Sequence, residues 1–146
     1  MIKRFLIMGV CFLVFSGCSI LEPVEDHEQI EVSLASCWDG DTAHFYLDHT
    51  DVKTRFLAID APELNTAAGD ESARYVCEVL SQATRIEFEF DENSDREDKF
   101  GRTLAWIWVD GQLLQLDLIE KGYARLAYVY GDYKYVDLLK EARNKR

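Results

Sequence analysis

The sequence has 146 residues, of which 48% are hydrophobic and 29% charged, and its 27 acidic and 16 basic residues give a net charge of −11. This length allows one domain with a sizeable core but leaves little room for two. The acidic balance excludes a protein that attracts nucleic acid through its overall charge.

The first 18 residues have the pattern of an export signal. Two basic residues, Lys3 and Arg4, precede an apolar run over 5–15 that is too short to span a bilayer. A serine, a glycine and then Cys18 resemble the lipobox of bacterial lipoproteins, in which the cysteine is acylated. We therefore expect residues 1–17 to be a signal peptide and Cys18 to anchor the protein to the cell envelope, at the outer membrane or its periplasmic face. Ordinary signal cleavage nearby and an uncleaved anchor remain the alternatives.

Residues 18–29 predict a tether. They are acidic and show no apolar period. Removal of residues 1–17 would take away two basic and no acidic residues, which would change the net charge from −11 to −13. The domain is then expected to occupy residues 30–146.

Alternating apolar residues predict three strands at the start of this domain. The first covers 30–35, and the turn signal Asp39-Gly40 leads to a second strand over 42–47. A third strand is predicted over 52–59, because Pro62 prevents further pairing soon after it. The pattern indicates a three-stranded meander.

The remaining pattern adds helices and two more strong strands. In order, it predicts a helix over 71–82, strands over 85–90 and 103–109, a helix over 112–121, an extended segment over 123–130 and a final helix over 133–146. Five short strands with a helix after the third fit a closed barrel of the oligonucleotide-binding (OB-fold) type with about three packed helices. The predicted fold class is therefore α+β, mainly a β barrel.

Two of the four cysteines remain after the signal peptide and the lipidation site are set aside. A disulfide between Cys37 and Cys77 would suit an exported chain. It would close a loop of about 40 residues and could contribute roughly 4 kcal/mol to stability. Two buried free thiols are the alternative.

Three segments carry the candidate chemistry: 39–42, Arg55 with 60–63, and 98–102. They supply clustered carboxylates and two arginines, each next to a turn at a strand end. Hydrolysis of a phosphodiester needs a divalent cation at the phosphate, a carboxylate that activates water and cationic groups that stabilise the developing charge. Oxygen ligands favour calcium, magnesium or manganese over zinc, and the histidines are expected to be surface residues.

In order and spacing these segments resemble the staphylococcal nuclease (thermonuclease) family across residues 30–143. The resemblance implies a calcium-dependent hydrolase, an endonuclease or exonuclease that cleaves DNA and RNA. It implies calcium ligands at Asp41, Asp60 and the Thr42 carbonyl, support from Asp39, a general base at Glu63, phosphate-binding groups at Arg55 and Arg102, and nucleotide contacts at Lys99, Tyr128 and Tyr130. Phe100 departs from the family, which often has tyrosine there.

A binding module is the alternative to an enzyme. The same barrel could hold single strands by aromatic stacking without cleaving them. Both the enzyme and the binding module predict a monomer whose partners are DNA and RNA, with single strands favoured. A third, weaker alternative is an envelope lipoprotein whose acidic surface serves only contacts with other proteins.

Overall fold

The structure is a computed structural model that describes residues 28–145, so the predicted signal peptide, Cys18 and nearly all of the tether lie outside the described residues. Along this part of the chain the elements are β1 Gln29–Cys37, β2 Thr42–Leu47, β3 Thr50–Phe56, β4 Ile59–Asp60, α1 Ala67–Gln82, β5 Ile86–Glu89, β6 Thr103–Val109, β7 Gln112–Leu113, α2 Leu114–Lys121, β8 Arg125–Leu126 and α3 Val136–Asn144. Among them, no helix has the length and apolar character needed to cross a bilayer.

Five strands close into a barrel. β1 pairs antiparallel with β2 and β5, β2 with β3, and β5 with β6. The ring is completed by a parallel pairing of β3 with β6, in which Thr54 lies opposite Thr103. The predicted OB-type barrel with three helices is confirmed.

Large apolar side chains fill the barrel. Phe45, Phe88 and Trp106 are fully buried, and the rings of Phe45 and Phe88 meet edge to face at 5.0 Å. Helix α2 packs on β6 through Gln115, which is also fully buried and donates its side-chain N–H to the Ala105 carbonyl at 3.0 Å. A buried amide that satisfies strand backbone in this way fixes the position of the helix on the barrel.

The third strand, predicted over 52–59, instead runs over Thr50–Phe56, so it both begins and ends earlier than predicted. β3 ends at Phe56 because Ala58 has a left-handed backbone, with φ of 62°. Ile59 and Asp60 instead pair with Leu126 and Arg125 of β8. This change of partner carries Asp60 out of the barrel wall.

The three predicted helices and one extended segment also differ from the structure. Helix α1 begins at Ala67 rather than at 71, because Thr66 caps it by accepting the Gly69 N–H at 3.0 Å. Between 123 and 130 only Arg125–Leu126 is a strand. Residues 112 and 113 form a short strand before α2, and the last helix begins at Val136.

A disulfide joins the end of β1 to α1. Cys37 and Cys77 are bonded, with their Cα atoms 5.5 Å apart. Between the disulfide and β2, Gly40 packs so tightly on α1 that a Cβ there would lie 2.1 Å from the Ser72 Oγ. The turn after β1 is therefore held against the helix at two points.

The short last helix is anchored by a buried carboxylate. Glu89 accepts hydrogen bonds from the Trp108 Nε1 at 2.8 Å, the Lys134 Nζ at 2.6 Å and the Tyr135 hydroxyl at 2.9 Å. Burial raises the pKa of Tyr135, and the Glu89 hydrogen bond adds to the effect, so the hydroxyl remains a donor. These contacts hold the start of α3 against β5 and β6 although the helix has only nine residues.

Candidate active site

An open groove of about 1110 Å³ lies where the turn after β1, the end of β3, the segment after β4 and the loop before β6 meet. Nine of the residues predicted from the sequence line it: Asp39, Asp41, Arg55, Asp60, Glu63, Lys99, Arg102, Tyr128 and Tyr130. Segments that are distant in the chain therefore meet on one surface.

Arg55 joins the two central carboxylates. Its Nη2 lies 3.2 Å from the Asp41 Oδ2 and 3.6 Å from the Asp60 Oδ1. Its Nη1 donates to the Phe56 carbonyl at 2.9 Å, and the side chain is only 10% exposed. The ring centre of Tyr128 lies 5.4 Å from the guanidinium carbon. The arginine is thus fixed in orientation before any substrate binds.

Asp41 is a buried carboxylate on which burial and neighbouring groups have opposite effects. Burial raises its pKa to about 6, against the opposing effects of the Arg55 guanidinium and the Ala61 N–H. That N–H donates to Oδ2 at 2.8 Å, and the Thr42 hydroxyl donates to Oδ1 at 2.9 Å. An additional positive charge beside Asp41 would favour its ionised form.

The pKa of Asp41 predicts how the stability of the metal-free protein varies with pH. A carboxyl whose pKa rises from 3.8 to about 6 on folding binds a proton more tightly in the folded state. Its contribution to the free energy of unfolding is therefore complete below pH 3.8 and is lost as pH rises through about 6. The loss is about 3 kcal/mol at most. Thermal unfolding in chelator between pH 4 and 7 (roughly spanning both values) should show this loss in the parent chain but not in Asp41→Asn. Equal dependence of stability on pH in the two proteins would contradict the raised pKa of Asp41.

Thr42, predicted to offer its carbonyl to calcium, does not line the groove. That carbonyl accepts the Asp39 N–H at 3.1 Å within the turn, and Thr42 is buried without lining the groove. Its contribution is the hydroxyl bond to Asp41. The Asp39 carboxylate, in the same turn, accepts the Asp41 N–H at 3.0 Å.

Arg102, just before β6, is held by Asp98. Its Nε and Nη2 both lie 2.7 Å from the Asp98 Oδ2. The left-handed Gly101, with φ of 76°, turns the chain so that the N–H groups of Phe100 and Arg102 also donate to Asp98. Burial alone would raise the pKa of Asp98, but these hydrogen bonds outweigh it and lower the pKa. The loop is therefore ordered around an ionised carboxylate.

Glu63 extends from the segment between β4 and α1. Its carbonyl accepts the Thr66 hydroxyl at 2.7 Å, and a Cβ on Gly69 would lie 1.9 Å from the same carbonyl oxygen. The backbone of Glu63 is thus fixed against the first turn of α1. Its exposed carboxylate forms no hydrogen bond or ion pair within residues 28–145.

The groove contains residues that the sequence pattern did not indicate. Trp38 lies at its edge, and two acidic residues of the loop before β6, Glu92 and Asp95, face it from the other side. Arg125 donates from Nε and Nη2 to the Asp60 Oδ2 at 3.0 and 2.8 Å. This contact depends on β4 pairing with β8, which no local signal reveals.

The oxygen groups of the groove fit a hard divalent cation. Asp41 and Asp60 contact the same Arg55 nitrogen, and the burial of Asp41 favours an added positive charge. In the part of the chain that the structure describes, no three His, Cys, Asp or Glu side chains form a metal cluster. Calcium takes six to eight oxygen ligands, so two carboxylates would need backbone or water oxygens to complete the set.

Comparisons with known proteins show which family the chain resembles. Residues 53–146 match the family model described as staphylococcal nuclease homologue. The SPbeta prophage-derived endonuclease YokF of Bacillus subtilis strain 168 is 36% identical over 121 residues, which cover 78% of this chain and 40% of that protein. Endonuclease YncB of the same strain is 35% identical over 115 residues, 74% of this chain and 54% of YncB. A thermonuclease of Staphylococcus intermedius is 29% identical over 113 residues, 73% of this chain and 66% of that protein. The matched region thus spans between 40% and 66% of these relatives.

Proposed function

The chain belongs to the staphylococcal nuclease family, and on this basis we propose that it hydrolyses phosphodiester bonds of nucleic acid. One observation supports the proposal above all others. The groove brings two carboxylates that share Arg55, a second arginine and the exposed carboxylate of Glu63 onto one surface. These are the groups that phosphodiester hydrolysis requires.

Asp41 and Asp60 would hold one calcium ion, with Asp39 ordering the turn behind Asp41. A bound calcium would polarise the phosphate and stabilise the charge that develops on its oxygens. Thr42 would support the site only through its hydroxyl bond to Asp41. Arg125, which contacts Asp60 through two nitrogens, has an exposed side chain.

The chain's own residues would orient and stabilise the reacting phosphate. Arg55 of β3 and Arg102, just before the paired strand β6, both line the groove, and each is held by a carboxylate before substrate arrives. Preorganised donors of this kind stabilise a transition state without reorganising. Glu63 would accept the proton of the attacking water, since its carboxylate is exposed and is not already hydrogen bonded to the described residues.

The substrate would be DNA or RNA, preferably single-stranded. Tyr128 and Tyr130 are 54% and 83% exposed in the groove, with ring centres 6.5 Å apart. Exposed aromatic rings stack on unpaired bases. Lys99 adds a positive charge on the side of Arg102, and the protein would act as a monomer.

The test of the proposed function is cleavage of single-stranded DNA by the purified domain in calcium and in chelator. We expect cleavage with calcium and none after chelation. Binding without cleavage under every divalent ion would favour the non-catalytic binding module. Cleavage that is insensitive to chelator would contradict the metal assignment.

The proposed location is the cell envelope, through lipidation of Cys18 after removal of residues 1–17. Cys18→Ala should move the protein from the membrane fraction to the soluble fraction, since the described domain has no spanning helix. Fractionation of the full chain and of the variant checks this expectation. Continued membrane association of the variant would instead indicate an uncleaved N-terminal anchor.

A further inference from the structure

Trp38 places an exposed indole at the edge of the groove, and the proposed function does not use it. The side chain is 55% exposed although tryptophan is a large apolar residue. It lines the same groove as Asp41 and Arg55. An aromatic ring exposed beside phosphate-binding groups is suited to stacking on a nucleobase.

The backbone on both sides of Trp38 is fixed. Cys37 immediately before it is bonded to Cys77 of α1. Two residues after it, Gly40 packs directly on Ser72 of the same helix. A side chain on ordered backbone loses less conformational freedom when a ligand stacks on it, which favours binding.

Lys53 adds a positive charge to this indole. Its Nζ lies 3.8 Å from the ring centre of Trp38, and the ion pairs within residues 28–145 do not include it. Lys53 and Arg55 are two residues apart in β3, so their side chains leave the same face of the sheet about 7 Å apart along the strand. Lys53 does not itself line the groove, but from this position it can contact a phosphate beside the one bound at Arg55.

We propose that Trp38 and Lys53 form a nucleotide subsite next to the reacting phosphate. A base of single-stranded nucleic acid stacks on the indole face that Lys53 does not cover, and the ammonium group over the other face contacts the adjoining phosphate. This inference rests on the proposed function and extends it, because the subsite would set the path of the nucleic-acid strand from Arg55 along β3. A base paired in a duplex is not free to stack in this way, so the subsite favours single strands.

Membrane contact is the competing use of an exposed tryptophan, because indoles also enter the lipid interface. The position favours nucleic acid. Trp38 lines one groove with Arg55 and Tyr128, the residues proposed to contact phosphate and bases.

The test measures binding of an oligothymidylate of about eight nucleotides, within the usual size range of an OB-fold site. Glu63→Gln serves as the background so that the strand stays intact. Trp38→Leu should raise the dissociation constant about fivefold to a hundredfold, the range for loss of one stacked base. Binding of thymidine monophosphate should change much less. Tyr46→Leu is the matched control, because Tyr46 is also an exposed aromatic residue but does not line the groove.

A second measurement uses the fluorescence of the tryptophans in the parent protein. Trp106 is fully buried and Trp108 is half-buried, so acrylamide should quench mainly Trp38. Bound oligothymidylate should protect this emission. Unchanged quenching together with unchanged affinity in Trp38→Leu would overturn the subsite. Protection by phosphatidylglycerol vesicles but not by the oligonucleotide would assign Trp38 to the membrane and would also overturn it.

Cleavage assays separate this inference from the proposed function. If the parent chain cleaves DNA in calcium but Trp38→Leu binds oligonucleotides normally, only the subsite is wrong. If the parent chain never cleaves but Trp38 emission is protected by oligonucleotide, the subsite is supported and hydrolysis is not.

Discussion

Arg102→Ala should lower the turnover rate by about a hundredfold or more while the protein remains folded, the scale for loss of one preorganised transition-state contact. The guanidinium is half-buried and is held at 2.7 Å by Asp98, so its remaining N–H groups are oriented before substrate binds. Arg102→Lys should recover little of this loss. A single ammonium group cannot keep the two bonds to Asp98 and also offer a planar pair of donors to phosphate.

Single-turnover cleavage of single-stranded DNA in saturating calcium measures this effect. Arg74→Ala is the matched control, because Arg74 is an exposed arginine of α1 outside the groove. Rates near the parent value in Arg102→Lys would show that the site uses charge rather than geometry. Arg55→Ala is a less clear test, since it would leave the buried carboxylate of Asp41 without its counter-charge.

Glu63→Gln should lower the rate by about a hundredfold or more, the range for loss of a general base, while calcium affinity stays near the parent value. The amide keeps the size of the side chain but cannot accept the proton of water. Since the carboxylate has no partner within residues 28–145, its removal should leave folding unchanged. Asp41→Asn should instead lower the affinity for calcium, because a hard cation loses a charged ligand.

Calorimetric titration of calcium and cleavage assays on the same preparations separate the two effects. Glu71→Gln supplies the control, since Glu71 is an exposed carboxylate at the start of α1 that does not line the groove. Full activity in Glu63→Gln would show that another group activates the water. A large loss of calcium affinity in that variant would instead make Glu63 a ligand.

Regular alternation and strong turn signals made parts of the fold predictable. Strands β2 and β6 have the predicted bounds, because their alternating or near-continuous apolar residues end at clear turns. The end of β3 could not be predicted, since nothing in Leu57-Ala58 signals a left-handed residue; tertiary pairing of β4 with β8 imposes it. The start of α1 was not predicted, because Gly69 is a poor helix former. Its role, which is to let the Glu63 carbonyl approach the helix, is visible only in the structure.

The candidate site was predictable to the extent that it lies on short segments at strand ends. Asp41, Arg55 and Arg102 belong to such segments, and the barrel brings them together. Thr42 was assigned to the groove through its carbonyl because sequence gives no direction to a backbone oxygen. Arg125 was missed because its contact with Asp60 depends on a strand pair separated by 65 residues.

Closure of the barrel has a consequence for the order in which the chain can fold. β3 can complete its second edge only when Thr54 meets Thr103, and β1 can do so only when Ile30 meets Phe88. The amino-terminal meander therefore has two open edges until β5 and β6 have been synthesised. Contacts between such distant parts of a chain slow folding, because loop entropy is lost before the contacts form. A ribosome-bound chain that ends before β6 should thus remain a good substrate for proteases and chaperones, and protection should appear in one late step.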